Sequence, residues 1–133
     1  MIQLKSLLKV IDNSGALLVE CINVLGSKKV ATLGDEIVIA VKKVRPPGTQ
    51  SNAHQSASSS AKLKKGDVRR AVVVRCRAPV QRPDGSTIRF DDNACVVTNK
   101  DGQPVGNRVL GVIANECRSQ KWAKIVSLAP KVI

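Results

Sequence analysis

The hydrophobic residues of this chain fall into short runs that end at turn-forming residues. The runs read LLKVID, ALLVECINVLG, GDEIVIAVKKV, GDVRRAVVVRCR, STIRF and NACVVTN, and Gly, Pro, Asn, Asp and Ser separate them. Short runs rich in β-branched residues are typical of strands, and their even spacing is typical of a small barrel or sandwich. The pattern therefore predicts a mainly β fold.

Two details refine this pattern. Alternation along the fourth run predicts one face with Val72, Val74 and Cys76 and an opposite face with Val73, Arg75 and Arg77. Near the C-terminus, the helical spacing of Trp122, Ile125 and Val126, followed by Pro130, predicts one or two short helices. We expect these helices to cap the barrel.

Residues 49–61, TQSNAHQSASSSA, differ from the rest because they contain no charge and no large apolar side chain. Such a composition is typical of a flexible loop. The length of 133 residues fits one domain, so we predict a single domain, 1–133, with a flexible insertion at 49–61. His54, the one histidine, lies in this loop and is expected to be solvated.

The composition is strongly basic, with 22 Lys and Arg against 10 Asp and Glu and a net charge of +12. Such a charge attracts polyanions, either nucleic acid or an anionic membrane surface. No run approaches the length of a transmembrane helix and the first residues lack the features of a secretory signal, so no membrane insertion is expected. With Phe90 and Trp122 as the only aromatic residues, the core must be aliphatic.

No catalytic constellation is predicted. A histidine in a loose loop cannot form a Ser-His or Cys-His pair, and the phosphate-loop and HExxH motifs are absent. Asp91 and Asp92 are adjacent, so in a strand they would point to opposite faces and in a turn they would bond backbone amides. We expect them to shape the turn, and we expect no enzyme activity and no cofactor.

The cysteines predict neither a metal site nor a disulfide. Cys21, Cys76, Cys95 and Cys117 include no C-x-x-C pair, and tetrahedral zinc sites need closely spaced ligands. Each lies in or beside an apolar run, which predicts small buried side chains in a reducing compartment.

The segment from residue 62 to 89 is the most basic, with nine Lys and Arg against two acidic residues. Arginine suits bidentate contacts to phosphate. The scarcity of aromatic residues disfavours binding of single strands by base stacking, and the lack of a recognition helix disfavours readout of DNA in the major groove. The remaining candidate ligand is folded RNA, bound through its backbone and 2′-hydroxyls. The predicted RNA-binding residues are Lys42, Lys43, Arg45, Lys64, Lys65, Arg69, Arg70, Arg75, Arg77, Arg82, Arg89, Arg108, Arg118 and Lys121.

The stretch QRPDGSTIRF predicts a basic hairpin. Its turn, Pro83-Asp84-Gly85, reverses the chain and should bring the flanking strands side by side. We therefore expect Arg82 and Arg89, one on each side of this turn, to reach RNA together.

Several ordered motifs resemble the family of large-subunit ribosomal protein fourteen. One motif begins with AVVV at 71–74, is followed after nine residues by Asp84-Gly85 and after four more by Phe90, and ends with Asn93 and the VV at 96–97. The others are VIDNSGA, LKKGDV and KIVSLAP. The resemblance covers nearly the whole chain. It implies a closed five-stranded β-barrel with short C-terminal helices that binds large-subunit rRNA at the subunit interface. It further implies a bridge to small-subunit rRNA, ribosomal protein nineteen as neighbour, and docking of the ribosomal silencing factor.

The chain departs from the family pattern at residues 49–61, which are additional, and at Asp92, where the family usually has Gly. The insertion and the opening MIQLKSLLKVIDNSGA resemble mitochondrial members, so we expect a protein of the mitochondrial ribosome. A bacterial or plastid ribosome remains the alternative, which the lack of a recognisable presequence leaves open. A different class, a free-standing basic protein that packages DNA or binds anionic membranes, remains the competing hypothesis.

Overall fold

Five strands close into a barrel. The computed structural model describes residues 1–45 and 63–133. The elements are β1 (Leu7–Val10), β2 (Ala16–Val24), β3 (Glu36–Val44), β4 (Val68–Arg75), β5 (Val80–Gln81), β6 (Thr87–Ile88), β7 (Ala94–Thr98), β8 (Val112–Ile113), α1 (Glu116–Ser119), α2 (Ala123–Leu128) and β9 (Lys131–Val132).

The barrel order is β1-β2-β3-β4-β7, and the parallel pairing of β1 with β7 closes it. β5 pairs with β6 and β8 pairs with β9 as two small separate sheets. The prediction of a closed five-stranded barrel with short C-terminal helices is confirmed. The predicted flexible loop, 49–61, and His54 within it lie outside the described residues.

The barrel interior is filled by aliphatic side chains, as the shortage of aromatic residues requires. Val19, Ile37, Ile39, Val73 and Val97 are each fully buried there. Since no large ring occupies the space, the core depends on many small contacts among β-branched side chains, which pack well on a pleated surface.

One wall of the barrel, formed by β4 and β7, is buried on both faces. Val73 faces the interior, whereas Val72, Val74 and Val96 pack outside against a cluster that includes Trp122. The helices therefore cover the side of the barrel, and the expectation that they cap it was wrong. The physical reason is that AVVV and ACVV are continuous apolar runs, and a strand that is apolar on both faces needs cover on both.

All four cysteines are buried and carry free thiols. Cys21 and Cys95 lie in the barrel interior, and Cys117 lies in the cluster outside β4 and β7. Burial raises the pKa of Cys117 to about 12 and raises the pKa of Cys21 and Cys95 as well. These three thiols are therefore protonated small hydrophobes, and the prediction of burial is confirmed for all four cysteines.

A buried carboxylate joins β1, β7 and the turn that leads into β2. Asp12 is only 2% exposed, and its Oδ1 accepts hydrogen bonds from the amide and the hydroxyl of Ser14. Its Oδ2 accepts a bond of 3.0 Å from the amide of Val97 on β7. Gly15 follows at φ +103°, a conformation that favours glycine, and lets the chain turn directly into β2.

The neighbouring Asn13 fastens the segment that follows the barrel. Its Oδ1 accepts hydrogen bonds from the amides of Asn107 and Arg108, at 2.9 and 3.2 Å. A Cβ at Gly106 would lie 2.4 Å from that same oxygen, so only glycine allows this close approach. The motif VIDNSGA is therefore a structural joint between β1, β2, β7 and residues 106–108.

We expect Asp12→Asn to destabilise the fold by about 1–3 kcal/mol, because an amide has one acceptor oxygen and cannot serve both Ser14 and the Val97 amide. Denaturant unfolding measures the loss. Asp91→Asn, at an exposed position, is the matched control and should leave the free energy of unfolding unchanged. Equal stabilities of the two variants would contradict the role given to Asp12.

The effect should depend on pH. Burial raises the pKa of Asp12 above its ordinary value of 3.8, and the bonds from Ser14 and Val97 only partly oppose this. A folded-state pKa above the unfolded one gives a stabilisation that is complete below the unfolded pKa and declines as pH rises through the folded pKa. The stability difference between wild type and Asp12→Asn should therefore be larger at about pH 4 than at about pH 7. Unfolding curves at both pH values measure it.

Candidate nucleic-acid interface

One end of the barrel collects exposed basic side chains. At this end β3 finishes and β4 begins, and the bonds Gly66 N to Val41 O (2.8 Å) and Val41 N to Asp67 O (2.9 Å) hold the two segments together. We call this end the basic rim. It consists of the exposed residues Lys42, Lys43, Arg45, Lys64, Lys65, Arg69 and Arg108.

Local hydrogen bonds fix how the basic rim is presented. The Asp67 carboxylate accepts a bond of 2.9 Å from the Lys64 amide, and Gly66 adopts φ +90°, so Lys64 and Lys65 stand on a tight turn. Arg45 donates its amide to the carbonyl of Gly15 at 2.9 Å. The joint at Asn13 described above places Arg108 at the same end, although 63 residues separate it from Arg45 in the sequence.

Three of the predicted arginines are held by carboxylates of the protein itself. Arg70 lies 3.6 Å from Glu36, Arg75 lies 3.5 Å from Asp92, and Arg82 lies 2.7 Å from Glu116. These are also the three predicted residues that are half-buried, whereas the other eleven are exposed. The fold therefore leaves eleven of the fourteen predicted residues exposed, although one of them, Lys42, lies 3.3 Å from Glu20, and it holds the other three beside internal carboxylates.

The sequence led us to expect that Asp92 bonds backbone amides and shapes its turn. Within the described part of the chain, the structure shows no such bond to Asp92. Its carboxylate lies 3.5 Å from Arg75 and 3.8 Å from Lys9. The local backbone bond comes instead from Asn93, whose Oδ1 accepts from the amide of Arg77 at 2.8 Å. The sequence could not show this, because only the pairing of β1 with β7 brings Lys9 beside Asp92.

The predicted basic hairpin exists, and its two arginines differ in their surroundings. The bonds Arg82 N to Ser86 O (2.8 Å) and Gly85 N to Arg82 O (3.0 Å) close the turn, and Asp84 accepts from the amide and hydroxyl of Ser86. The Arg82 guanidinium donates to both carboxylate oxygens of Glu116 and to the main-chain oxygen of Ile133. Arg89 is exposed. Their joint contact with RNA stays a prediction.

The remaining predicted residues lie away from the basic rim. Arg77 and Arg89 flank the β5–β6 hairpin, Arg118 belongs to α1, and Lys121 follows α1. All four are exposed. The structure thus shows basic groups on the rim and a second set on the side that carries the hairpin and the helices.

Sequence reasoning missed two basic residues that the fold brings beside predicted ones. Lys100 and Lys124 line an open cleft of about 270 Å³ together with Arg70 and Lys121. The Nζ of Lys124 donates to Gln103 at 2.8 Å. The i, i+3 spacing of Lys121 and Lys124 beside a predicted helix could have indicated Lys124 as a neighbour of Lys121. Nothing in the sequence indicates Lys100, because its proximity to them arises only from the tertiary structure.

Within residues 1–45 and 63–133, no group of three or more His, Cys, Asp or Glu side chains is arranged to hold a metal ion. Over the same residues, no helix is both long and apolar enough to cross a bilayer.

A closed aliphatic barrel with a basic rim places the chain among small, basic β-barrel proteins. The chain belongs to the family described as ribosomal protein L14p/L23e, whose model matches residues 1–133. The resemblance drawn from the sequence motifs is confirmed.

Two relatives cover almost the whole chain. It is 55% identical to the large ribosomal subunit protein uL14m of Neurospora crassa over 130 residues, which are 98% of each chain. It is 52% identical to the large ribosomal subunit protein uL14m of Schizosaccharomyces pombe over 133 residues, which are 100% of each chain. Both are mitochondrial members of the family, which confirms the mitochondrial expectation over the bacterial and plastid alternatives.

We expect Arg82→Ala to lower the free energy of unfolding by about 1–2 kcal/mol, because it leaves the half-buried carboxylate of Glu116 without its bidentate partner. Thermal unfolding measures the change. Arg89→Ala removes the same charge from an exposed position of the same hairpin and should leave the melting temperature unchanged. A larger loss for Arg89→Ala would show that the ion pair does not hold the hairpin against α1.

Proposed function

We propose that this chain is a structural constituent of the large subunit of the mitochondrial ribosome and that residues 1–133 act as a single rRNA-binding domain. The observation that carries the proposal is the basic rim, where seven exposed Lys and Arg side chains from three separate parts of the chain converge. The family membership and the two mitochondrial relatives support the same assignment.

The mode of binding follows from the side chains that are exposed. Trp122 is 5% exposed and Phe90 is half-buried, so neither aromatic ring offers a platform on which bases could stack. Exposed ammonium and guanidinium groups suit phosphates instead. The domain therefore binds folded RNA through its backbone, and the fourteen residues predicted from the sequence supply the contacts, with the exposed eleven reaching phosphates directly.

The finer features of the proposal rest on the family resemblance. They are a position near the subunit interface, a bridge to small-subunit rRNA, ribosomal protein nineteen as a neighbour, and docking of the ribosomal silencing factor. The rim and the hairpin side give the domain two separate basic surfaces, which is what a protein between two RNA partners requires. The role is structural, without catalysis.

The competing function is a free-standing basic protein that binds DNA or anionic membranes. Sedimentation of tagged protein with mitochondrial large subunits at moderate salt separates the two, because non-specific electrostatic binding is lost steeply as salt rises. Recovery in the subunit fraction supports the proposal. Recovery with DNA or vesicles alone would replace it.

We expect the double variant Lys64→Ala/Lys65→Ala to bind large-subunit rRNA at least about tenfold more weakly, because two phosphate contacts are lost. The slope of log K against log salt should fall by about 1.4–1.8. Filter binding over a salt series measures both quantities.

The matched control is Lys5→Ala/Lys29→Ala. This change removes the same charge from two exposed lysines that precede β1 and follow β2, at the opposite end of the barrel. It should change the salt slope by less than half as much. Equal effects of the two double variants would show that net charge, and not the basic rim, determines rRNA binding.

A further inference from the structure

The cleft between α2, the loop after β7 and the outer face of β3 and β4 has mixed charge. It has a volume of about 270 Å³, and its charged lining consists of Glu36, Arg70, Lys100, Asp101, Lys121 and Lys124. This volume lies just below the roughly 300 Å³ at which pockets for drug-sized molecules begin, so the cleft accommodates one small group and not an extended ligand.

Lys121 reaches this cleft from an unfavourable backbone conformation. Its φ is +100°, and it occupies the position just after α1 where the bond from Trp122 N to Cys117 O (3.0 Å) closes the helix end. Glycine is the residue that this C-terminal motif favours, because any Cβ is strained there. A change of Lys121 to glycine should therefore be tolerated by the backbone, which makes this position suitable for testing the side chain alone. The ammonium group of Lys121 lies 5.2 Å from the centre of the Trp122 ring, which also lines the cleft.

Three other lining residues are held in place by contacts within the fold. Lys124 is oriented by its 2.8 Å bond to Gln103, and Arg70 is oriented by Glu36 at 3.6 Å. Gly102 adopts φ +80°, and a Cβ there would lie 3.4 Å from the Trp122 ring. Lys124, Arg70 and Gly102 are therefore fixed parts of the lining, whereas Lys100 and Asp101 are exposed at its edge.

The chemistry of the lining selects a ligand class. Four cations suit a phosphate, and the two carboxylates can accept hydrogen bonds from hydroxyl groups but would repel a second anionic group. A ribonucleotide within an RNA strand combines these features, because one phosphate lies beside a 2′-hydroxyl, which is a hydrogen-bond donor that DNA lacks.

We propose that this cleft binds a single nucleotide of an RNA backbone, with its phosphate on Lys121, Lys124 and Lys100 and its 2′-hydroxyl donating to Asp101. The inference rests on the proposed function, since it assumes that the chain binds RNA. It goes beyond that function by assigning a site apart from the basic rim that distinguishes RNA from DNA.

The first experiment compares Lys121→Gly with Lys5→Gly. Lys5 is the other non-glycine residue at positive φ in the described chain, at +69°, and it is not part of the cleft. Both variants lose one charge and relieve one strained position, so the melting temperature should not fall in either. Affinity for an RNA hairpin should fall about tenfold in Lys121→Gly and less than twofold in Lys5→Gly.

Trp122, the one tryptophan, serves as a local reporter. Its fluorescence should change on titration with the RNA hairpin in wild type and in Lys5→Gly, and much less in Lys121→Gly. Equal losses of affinity in the two variants would overturn the site, because they would reduce it to general electrostatics. If wild type fails to bind the RNA hairpin and ribosomal subunits alike, the proposed function itself fails.

The second experiment tests the hydroxyl contact. Asp101→Ala removes a negative charge and should strengthen binding to RNA and DNA hairpins of the same sequence, but only RNA loses a hydrogen bond. The ratio of RNA to DNA affinity should therefore fall at least about threefold. Asp91→Ala, an exposed acidic residue outside the cleft, is the control and should leave the ratio unchanged. An unchanged ratio in Asp101→Ala would overturn the assignment of a 2′-hydroxyl site.

Discussion

The architecture depends on the buried carboxylate of Asp12. Its two oxygens accept the amide of Val97 and the amide and hydroxyl of Ser14, so one side chain closes the parallel β1–β7 seam and sets the turn into β2. The next residue, Asn13, extends the joint to residues 106–108. A closed barrel has no free edge, but it must bring its first and last strands into register. The hydrogen bonds at Asp12 fix that register from within a short polar motif.

The second constraint is the wall that is apolar on both faces. Because Val72, Val74 and Val96 point outward and must be covered, the C-terminal segment is bound to the side of the barrel. This leaves the end where β3 meets β4 open and available for the basic rim. It also creates the cleft beside α2, since a helix that lies against a curved wall leaves a recess at its edge. The positions of the basic rim and of the cleft thus follow from where the barrel wall must be covered.

Much of this was predictable from the sequence, and the exceptions share one cause. The strand runs, the Pro83-Asp84-Gly85 hairpin and the C-terminal helices are local patterns, and each was found where expected. Three features depend on tertiary contacts: the side on which the helices pack, the partner of Asp92, and the proximity of Lys100 to Lys121. In sequence terms Arg82 and Arg89 were equivalent, and only the approach of Glu116 from 34 residues away makes them differ. The periodicity of hydrophobic residues reports local structure, so it cannot show contacts between residues that are far apart in the sequence.

The distribution of the acidic residues explains how a chain with ten carboxylates presents a basic surface. Carboxylates that accept backbone or hydroxyl bonds, or that hold a Lys or Arg, contribute little free negative potential, because their charge is compensated at short range. Eight of the ten are used in this way, namely Asp12, Glu20, Asp35, Glu36, Asp67, Asp84, Asp92 and Glu116. The acidic side chains thus stabilise turns and strand joints, while most of the predicted basic ones remain exposed. The same placement of the carboxylates that stabilises the barrel therefore leaves the positive charge at the surface uncompensated.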